Sequence, residues 1–288
     1  MDLNSYNQDS YNQKLISITK ERKSIVCVGL DPVLERIPLK GEPEEVIVTF
    51  FTTILQRMID EKCKPVMVKP NIAFYEQYDF AGLRALKRII QFCHEHAIEV
   101  LIDAKRGDIG KTSQAYAKAL FDVWKADATT IHLYHGRDTL TPFLDYCKKG
   151  KGVYVLLRTS NQSAAEIQEV VLADGRKMYE AIRELLLEQY IDGLAVVVGA
   201  PAIAELEKIS SFFVQKKVEI PFLIPGIGEQ GGAVKNVADA LRRSKTNLYL
   251  HRIVGASSII YAYEKNKEND YAGAAVRVLK KMNQEIGL

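Results

Sequence analysis

The sequence contains few cysteines, and those it has stand far apart. There are four, Cys27, Cys63, Cys93 and Cys147, and no two of them have the spacing of a metal-binding or redox pair. This pattern argues against a disulfide-stabilised fold and is typical of a reducing compartment such as the cytosol.

Long apolar runs and a strong net charge are also absent. No apolar run approaches membrane-spanning length, and the polar first ten residues lack the pattern of a signal peptide. The 39 lysines and arginines nearly balance the 36 acidic residues, which leaves a net charge of +3 without a long basic run. We therefore expect a cytoplasmic protein that needs neither nucleic acid nor membrane as a partner. The five histidines are not arranged as a metal site.

What the sequence does contain is a regular alternation of short apolar segments and helical segments. Such alternation predicts an α/β fold with a parallel sheet, and eight units favour a closed (β/α)8 TIM barrel in a single domain. Because counting strands does not establish closure, a doubly wound open sheet is the alternative. We expect residues 1–22 to be a helical extension packed on the barrel, which spans 23–288. The strands are predicted at 25–30, 65–69, 100–106, 128–133, 152–157, 193–198, 221–224 and 248–254.

Charged residues follow the third predicted strand, where packing alone would not place them. Asp103 and Lys105 are two residues apart, so an extended backbone would direct both side chains to one face. Gly107 ends the strand and places Asp108 on the following loop. Charged side chains are almost never buried unless they are paired. A catalytic cluster is therefore indicated, with a purely structural ion-pair network as the alternative.

Lys69 ends the second predicted strand and would share the barrel mouth with Asp103 and Lys105. Opposite charges in alternation favour the ionised form of each group. A unit pair at about 4 Å is worth roughly 4 kcal/mol at an effective dielectric constant near 20. A lysine kept protonated in this way can donate a proton or act as an electrostatic clamp. It is not suited to Schiff-base chemistry, which requires a lowered pKa.

A glycine-rich loop follows the seventh predicted strand. Residues 225–232 read PGIGEQGG, with four glycines in eight positions. Glycines let backbone N–H groups converge on an anion, and barrels frequently bind phosphate with the loops after strands seven and eight. The sequence therefore predicts a phosphate site here.

These motifs together resemble the orotidine 5'-phosphate decarboxylase family, in particular its longer bacterial-type subfamily. The resemblance covers nearly the whole chain and implies a (β/α)8 barrel that releases CO2 from orotidine 5'-monophosphate to give UMP, the last step of pyrimidine synthesis. It also implies that no metal or organic cofactor is used. The motifs that carry it are VGLDP (28–32), KPNIAFYE (69–76), DAKRGDIG (103–110), RTSN (158–161) and PGIGEQGG (225–232).

The resemblance also assigns catalytic roles. Lys105 would deliver the proton to ring carbon C6 as the carboxylate departs, and Asp103 would lie against that carboxylate. Lys69 would pair with Asp103 and touch the ribose. Asp108 would reach across a homodimer interface to the ribose hydroxyls of the substrate in the partner subunit, with Thr112 nearby.

The substrate-binding residues follow from the same resemblance. Asp31 would bind the ribose, Ser160 the amide edge of the pyrimidine, and Gln230 would bridge base and phosphate. The remaining residues expected to bind substrate are Pro225, Gly228, Gly231, Gly255 and Ser258.

The chain departs from the family pattern after strand eight. The family usually places an arginine on the phosphate there, whereas this chain has Ser257 or Ser258. A charge-assisted hydrogen bond is worth roughly 1.5–3 kcal/mol, so we expect a raised KM unless Arg252 or Arg158 covers the phosphate. A second departure is His132-Leu133-Tyr134, where the family often has Asn-Pro-Tyr.

Two alternative functions remain open at this point. One is a magnesium-dependent decarboxylase or aldolase acting on a sugar phosphate with the same Asp-x-Lys-x-x-Asp motif. The other, suggested by the missing arginine, is a pseudoenzyme that binds nucleotides without turnover.

Overall fold

Eight parallel strands form a closed barrel in sequence order. The computed structural model describes residues 10–228 and 233–288. The first strand pairs with the last, with Val26 opposite Ile253, and this pairing closes the sheet. The predicted (β/α)8 TIM barrel is therefore confirmed, and the open-sheet alternative is wrong. The strands are β1 (Val26–Gly29), β2 (Met67–Lys69), β3 (Glu99–Arg106), β4 (Ala128–Ile131), β5 (Gly152–Arg158), β6 (Leu194–Val198), β7 (Phe222–Ile224) and β8 (Arg252–Gly255).

Helices separate the strands along the chain, and their apolar faces pack on the outside of the barrel. Short helices that follow β2, β5 and β8 lie on the loops at the carboxyl ends of those strands. The helices are α1 (Tyr11–Arg22), α2 (Pro43–Asp60), α3 (Ala73–Glu76), α4 (Asp79–Glu95), α5 (Gly110–Lys118), α6 (Arg137–Cys147), α7 (Ala165–Gln168), α8 (Met178–Glu188), α9 (Ile203–Gln215), α10 (Ala233–Arg243), α11 (Ser257–Ile260), α12 (Ala262–Asn266) and α13 (Tyr271–Ile286).

Strand eight starts later than the sequence predicts. The apolar run at 248–250 forms a turn of 3-10 helix, and β8 begins only at Arg252. The side chain of Asn247 accepts a hydrogen bond from the backbone N–H of Tyr249 and caps this turn. A local side-chain bond of this kind competes with strand pairing, so apolar character alone misplaced the strand boundary.

Helix α1 closes the amino-terminal end of the barrel. Tyr11 and Leu15 are fully buried, and the Tyr11 hydroxyl lies 3.2 Å from that of Tyr154 inside the barrel. Arg252, also fully buried, donates hydrogen bonds to the backbone oxygen of Leu15 and to the Thr19 hydroxyl. The opposite, carboxyl end is therefore the end of the barrel that α1 leaves open. The division of the chain into 1–22 and 23–288 stays a prediction.

The barrel interior is a packed core rather than a channel. The buried residues that fill it together with α1 are Cys27, Val66, Met67, Leu101, Ala128, Tyr154, Ala195, Val197, Leu223 and Val254. Burial raises the pKa of the Cys27 thiol to about 12, which keeps it protonated and unreactive.

In the described ranges, no helix has the length and apolar character needed to cross a membrane.

Candidate active site

Three charged side chains meet at the carboxyl ends of β2 and β3. Lys69 Nζ lies 3.0 Å from Asp103 Oδ2, and Lys105 Nζ lies 2.6 Å from Asp103 Oδ1. Each carboxylate oxygen of Asp103 thus has its own ammonium partner. Lys69 and Asp103 are buried, whereas the side chain of Lys105 is 46% exposed. Lys105 is therefore the member of the cluster that is accessible from the barrel mouth.

The backbone at Lys105 differs from the extended strand that the sequence suggested. Lys105 has a φ of 46°, in the left-handed region, and the register between β3 and β4 shifts between Ile102 and Arg106. A left-handed conformation at a non-glycine residue is sterically unfavourable and clusters at functional sites. The backbone N–H of Lys105 donates to the Thr130 hydroxyl at 3.0 Å, which supports this conformation. Lys105 and Asp103 therefore meet at a strand irregularity and not by two-residue alternation.

Thr130 is a residue of the cluster that sequence reasoning missed. Its hydroxyl donates to Asp103 Oδ1 at 2.7 Å while it accepts from the backbone of Lys105. Thr130 is buried on β4, next to β3. Two successive threonines in an otherwise apolar strand were the available signal, but which of them faces Asp103 depends on strand register.

The electrostatics of the cluster favour charge on both buried groups. Burial opposes ionisation of Asp103, but the Lys69 and Lys105 ammonium groups outweigh it and lower the pKa of Asp103 to about 2. Burial likewise disfavours the charged form of Lys69, yet the carboxylates of Asp103 and Asp31 outweigh it and raise the pKa of Lys69. An ammonium with this surrounding stays protonated at neutral pH.

Asp31 lies directly after β1 and extends the cluster. Burial raises the pKa of its carboxyl group, while the Lys69 ammonium and the backbone N–H of Asn71, which lies 3.1 Å from Asp31 Oδ1, act in the opposite direction. The Tyr261 hydroxyl donates to the backbone oxygen of Asp31 and accepts from the backbone N–H of Val33. Tyr261, which the sequence did not single out, thus fixes the loop that carries Asp31.

Asp108 and Thr112 are not brought into this cluster within one chain. Asp108 is half-buried, and its carboxylate accepts a hydrogen bond from the backbone N–H of Ile109. Within residues 10–228 and 233–288 it forms no ion pair. Thr112 is exposed on α5, and the side chain of Ile109 beside it is 52% exposed.

Those of the remaining predicted binding residues that the structure describes lie at the carboxyl ends of β5, β7 and β8 or on the loops that follow them. A Cβ built on Gly226 would lie 3.0 Å from Ser160 Cβ, so Ser160 borders the loop that begins at Pro225. Gly228 is exposed, and Gly255 is buried where a Cβ would lie 2.6 Å from a side-chain atom of Ile259. Gln230 and Gly231 lie outside the described residues.

Ser258 lies at the edge of a cavity of about 590 Å³. Its hydroxyl oxygen is buried and has no hydrogen-bond partner in the part of the chain that the structure describes. The cavity lies between the loops after β7 and β8 and helix α13. Its lining includes Gly228 and three cations, Lys265, Arg277 and Lys281.

Neither arginine considered as a replacement phosphate ligand is free. Arg252 is fully buried at the closed end of the barrel, opposite the mouth, so it does not reach a phosphate bound at the mouth. Arg158 ends β5 near the mouth, but it forms an ion pair with Glu169 at 2.9 Å. Its guanidinium also donates to the backbone oxygen of Thr159 at 2.6 Å.

His132 packs against the turn that follows the charged strand. A Cβ at Gly107 would lie 2.1 Å from the His132 ring, so this position admits only glycine without rearrangement. Burial and the neighbouring His135 lower the pKa of His132, which favours its neutral form. Across the described ranges, no three histidine, cysteine, aspartate or glutamate side chains are grouped so that they could hold a metal ion.

Comparison with known proteins gives consistent matches. The family model described as "Orotidine 5'-phosphate decarboxylase / HUMPS family" matches residues 24–271. The orotidine 5'-phosphate decarboxylase of Thermomicrobium roseum is 36% identical over 282 residues, 96% of each chain. That of Herpetosiphon aurantiacus is 39% identical over 234 residues, 80% of this chain and 84% of the relative.

Comparison with solved structures gives the same family as comparison with the sequence relatives. The OMP decarboxylase of Leishmania donovani superposes with a TM-score of 0.73 and 28% identity, covering 97% of this chain and 99% of that one. The UMP synthase of the same organism gives a TM-score of 0.76 at 30% identity. The match covers 96% of this chain but only 56% of the synthase.

Replacing Asp103 tests the charge balance of the cluster. We expect Asp103→Asn to lose about 3 kcal/mol of unfolding free energy at pH 7, because it leaves the buried Lys69 ammonium without its nearest counter-charge. The pKa of Asp103 is about 2 in the folded protein, below the usual value of 3.8. Ionised Asp103 therefore stabilises the fold fully above about pH 4, and this contribution is lost as the pH falls towards 2.

Urea unfolding of wild type and variant at pH 7, 5 and 3 measures this difference. The exposed Asp60→Asn is the matched control and should change little at any pH. Equal unfolding free energies for wild type and Asp103→Asn at pH 7 would contradict the assigned charge balance.

Proposed function

The chain belongs to the orotidine 5'-phosphate decarboxylase family, and from this premise we propose that it converts orotidine 5'-monophosphate to UMP in de novo pyrimidine synthesis. Membership confirms the resemblance drawn from the sequence motifs and makes the chain a carboxy-lyase. The observation that carries the proposed substrate and mechanism is the carboxylate of Asp103 held between two ammonium groups at the barrel mouth.

Lys105 is the proposed proton donor. When the bond between C6 and the carboxylate breaks, the electron pair remains on C6, and CO2 leaves. A proton from Lys105 Nζ then completes the new C–H bond. A fixed ammonium beside the carbon where negative charge develops provides preorganised electrostatic stabilisation. In this mechanism the chain needs no metal and no organic cofactor.

Asp103 and Lys69 are the proposed partners of Lys105 in this reaction. Asp103 would lie against the substrate carboxylate, where the close approach of two negative groups favours departure of CO2. Lys69 neutralises the charge at the second carboxylate oxygen of Asp103 and would touch the ribose. Binding of the remote phosphate by the loops after β7 and β8 would supply the energy that holds the substrate in this position.

The proposed assembly is a homodimer in which Asp108 and Thr112 serve the partner's site. Two features of the described chain support it. Asp108 forms no ion pair with any described residue of its own chain, and the adjacent Ile109 exposes apolar surface. Asp31 would bind the ribose within its own chain.

Residues on the loops after β5, β7 and β8 complete the proposed substrate site. Ser160 would bind the amide edge of the pyrimidine, and Gln230 would bridge base and phosphate. The phosphate would lie against the loop from Pro225 to Gly231, which includes Gly228. Gly255 and Ser258 would complete the phosphate site at the end of β8.

The direct test is the change in ultraviolet absorbance of orotidine 5'-monophosphate incubated with the purified protein in excess EDTA. We expect turnover that EDTA does not reduce, because the proposed proton donor and charge network are side chains. Activity that EDTA abolishes and magnesium restores would instead support the metal-dependent alternative. Binding of UMP without turnover would support the pseudoenzyme.

Lys105→Ala tests the proton donor. We expect kcat to fall at least about a thousandfold, because the variant loses both the proton and the charge at the reacting carbon. UMP binding and the unfolding transition should stay near wild type, since the Lys105 side chain is half-exposed. Lys118→Ala, at an exposed position of α5, is the matched control. Near-normal turnover by Lys105→Ala would exclude the assignment.

Ser258→Arg tests whether the missing arginine limits phosphate binding. We expect KM to fall roughly tenfold, as one charge-assisted hydrogen bond would give, with little change in kcat. Ser17→Arg adds the same charge at the closed end of the barrel and should leave KM unchanged. An unchanged KM in Ser258→Arg would mean that other groups, such as Lys265 or Lys281 in the adjacent cavity, already neutralise the phosphate.

A further inference from the structure

The segment after β5 forms a short strap beside the barrel mouth. It leaves the barrel at Thr159, makes one turn of 3-10 helix (Gln162–Ala164) and continues directly into α7. The chain then returns through a bridge between Val171 and Lys177 to enter α8. Ser160, the proposed pyrimidine-binding residue, lies at the start of this strap.

Gln168, the last residue of α7, binds the residue that precedes Ser160. Its side-chain oxygen accepts from the backbone N–H of Thr159 at 2.8 Å, and its side-chain nitrogen donates to the Thr159 hydroxyl at 2.7 Å. The same hydroxyl donates to Asn161 Oδ1 at 2.6 Å. Both neighbours of Ser160 are thus tied into one network that depends on the amide of Gln168.

Glu169 anchors the same strap to the barrel wall. Its carboxylate pairs with Arg158 at 2.9 Å through one oxygen and with Lys177 at 2.7 Å through the other. The two cations lower the pKa of Glu169, with Lys177 acting most strongly. Arg158 ends β5, so this ion pair ties the strap to the strand from which it departs.

Ser160 itself makes no hydrogen bond to another residue in the described ranges, through either its backbone N–H or its hydroxyl. Ser160 is exposed, but one side of it lies against two glycines. A Cβ on Gly199 would lie 2.5 Å from Ser160 Cα, and one on Gly226 would lie 3.0 Å from Ser160 Cβ. Ser160 therefore borders the segments that follow β6 and β7, while its own polar groups remain available to a ligand.

We propose that Gln168 is a positioning residue for pyrimidine recognition, which it serves by holding the Thr159–Asn161 turn so that Ser160 meets the amide edge of uracil. This inference rests on the proposed function, because it needs a pyrimidine nucleotide in the site. Gln168 does not touch the base. It acts through the backbone and side chain of Thr159.

The chemistry of the base makes the consequence specific. Uracil presents an N–H donor and a carbonyl acceptor at this edge, whereas cytosine presents a ring-nitrogen acceptor and an amino donor. A backbone N–H can only donate, so a fixed Ser160 N–H pairs with the uracil carbonyl and faces a second donor in cytosine. A polar group left unpaired in this way discriminates strongly between ligands. Loss of the Gln168 bonds should therefore weaken the binding of UMP more than that of CMP, which lowers base selectivity.

The test compares the dissociation constants of UMP, CMP and ribose 5-phosphate for the purified full chain and three variants. In Gln168→Ala we expect UMP to bind about tenfold more weakly, the effect of losing hydrogen bonds that position its partner. Ribose 5-phosphate should bind as it does to wild type, and the preference for UMP over CMP should fall. Gln168→Met keeps the side-chain length without the amide and should behave like Gln168→Ala. The control Gln162→Ala, at an exposed position of the same strap, should match wild type.

Two outcomes would overturn the inference. Equal weakening of all three ligands in Gln168→Ala would show a general structural role, and wild-type selectivity in Gln168→Met would show that packing suffices. Failure of the proposed function gives a different result from failure of this inference, because dissociation constants are measured without turnover. Wild-type protein that prefers UMP but leaves orotidine 5'-monophosphate unchanged would remove the proposed reaction and keep the inference. Wild-type protein without preference for UMP would remove the inference.

Discussion

The ion pairs of Asp103 are the interaction on which the site depends. A buried carboxylate is costly in a barrel mouth unless it is paired and hydrogen-bonded. Here both oxygens have an ammonium partner, and one also accepts from the Thr130 hydroxyl. The same contacts keep Lys69 charged despite its burial. The buried pair of Lys69 and Asp103 is therefore stable only as a unit, because removal of either charge leaves the other without its nearest buried partner.

The two ends of the barrel differ in the polar groups that they contain. At the closed end, α1 and the guanidinium of Arg252 fill the interior, and the polar groups of Arg252 mostly bind backbone oxygens and the Thr19 hydroxyl. At the open end, Lys105 is half-exposed, and Asp108 lies outside the cluster. The polar groups at the amino-terminal end thus contribute to stability. The accessible charged groups Lys105 and Asp108 lie at the carboxyl end, where a substrate can reach them.

The fold was predictable because hydrophobic alternation along the chain is a local signal that repeats eight times. The positions of Lys69, Asp103 and Lys105 at strand ends followed from the same pattern. The contributions of Thr130 and Gln168 were not predictable in this way. Thr130 depends on the register between β3 and β4, which shifts at the left-handed Lys105. Gln168 meets Thr159 only because the strap folds back across nine residues. Strand eight was misplaced because a local side-chain cap at Asn247 overrode its apolar pattern.

Two glycines that lie against Ser160 connect the proposed base-binding residue with the start of the proposed phosphate loop. Gly199 follows β6 and Gly226 follows β7, and neither position has room for a side chain against Ser160 without displacement. Gly226 also has a φ of 93°, which further restricts that position to glycine. A shift of the strap after β5 would therefore be transmitted to the start of the loop at 225–228. In the proposed site, the groups that would bind the base and those that would bind the phosphate are consequently not independent. In that site, a change at the proposed base edge would also affect the first residues of the proposed phosphate loop, at 225–228.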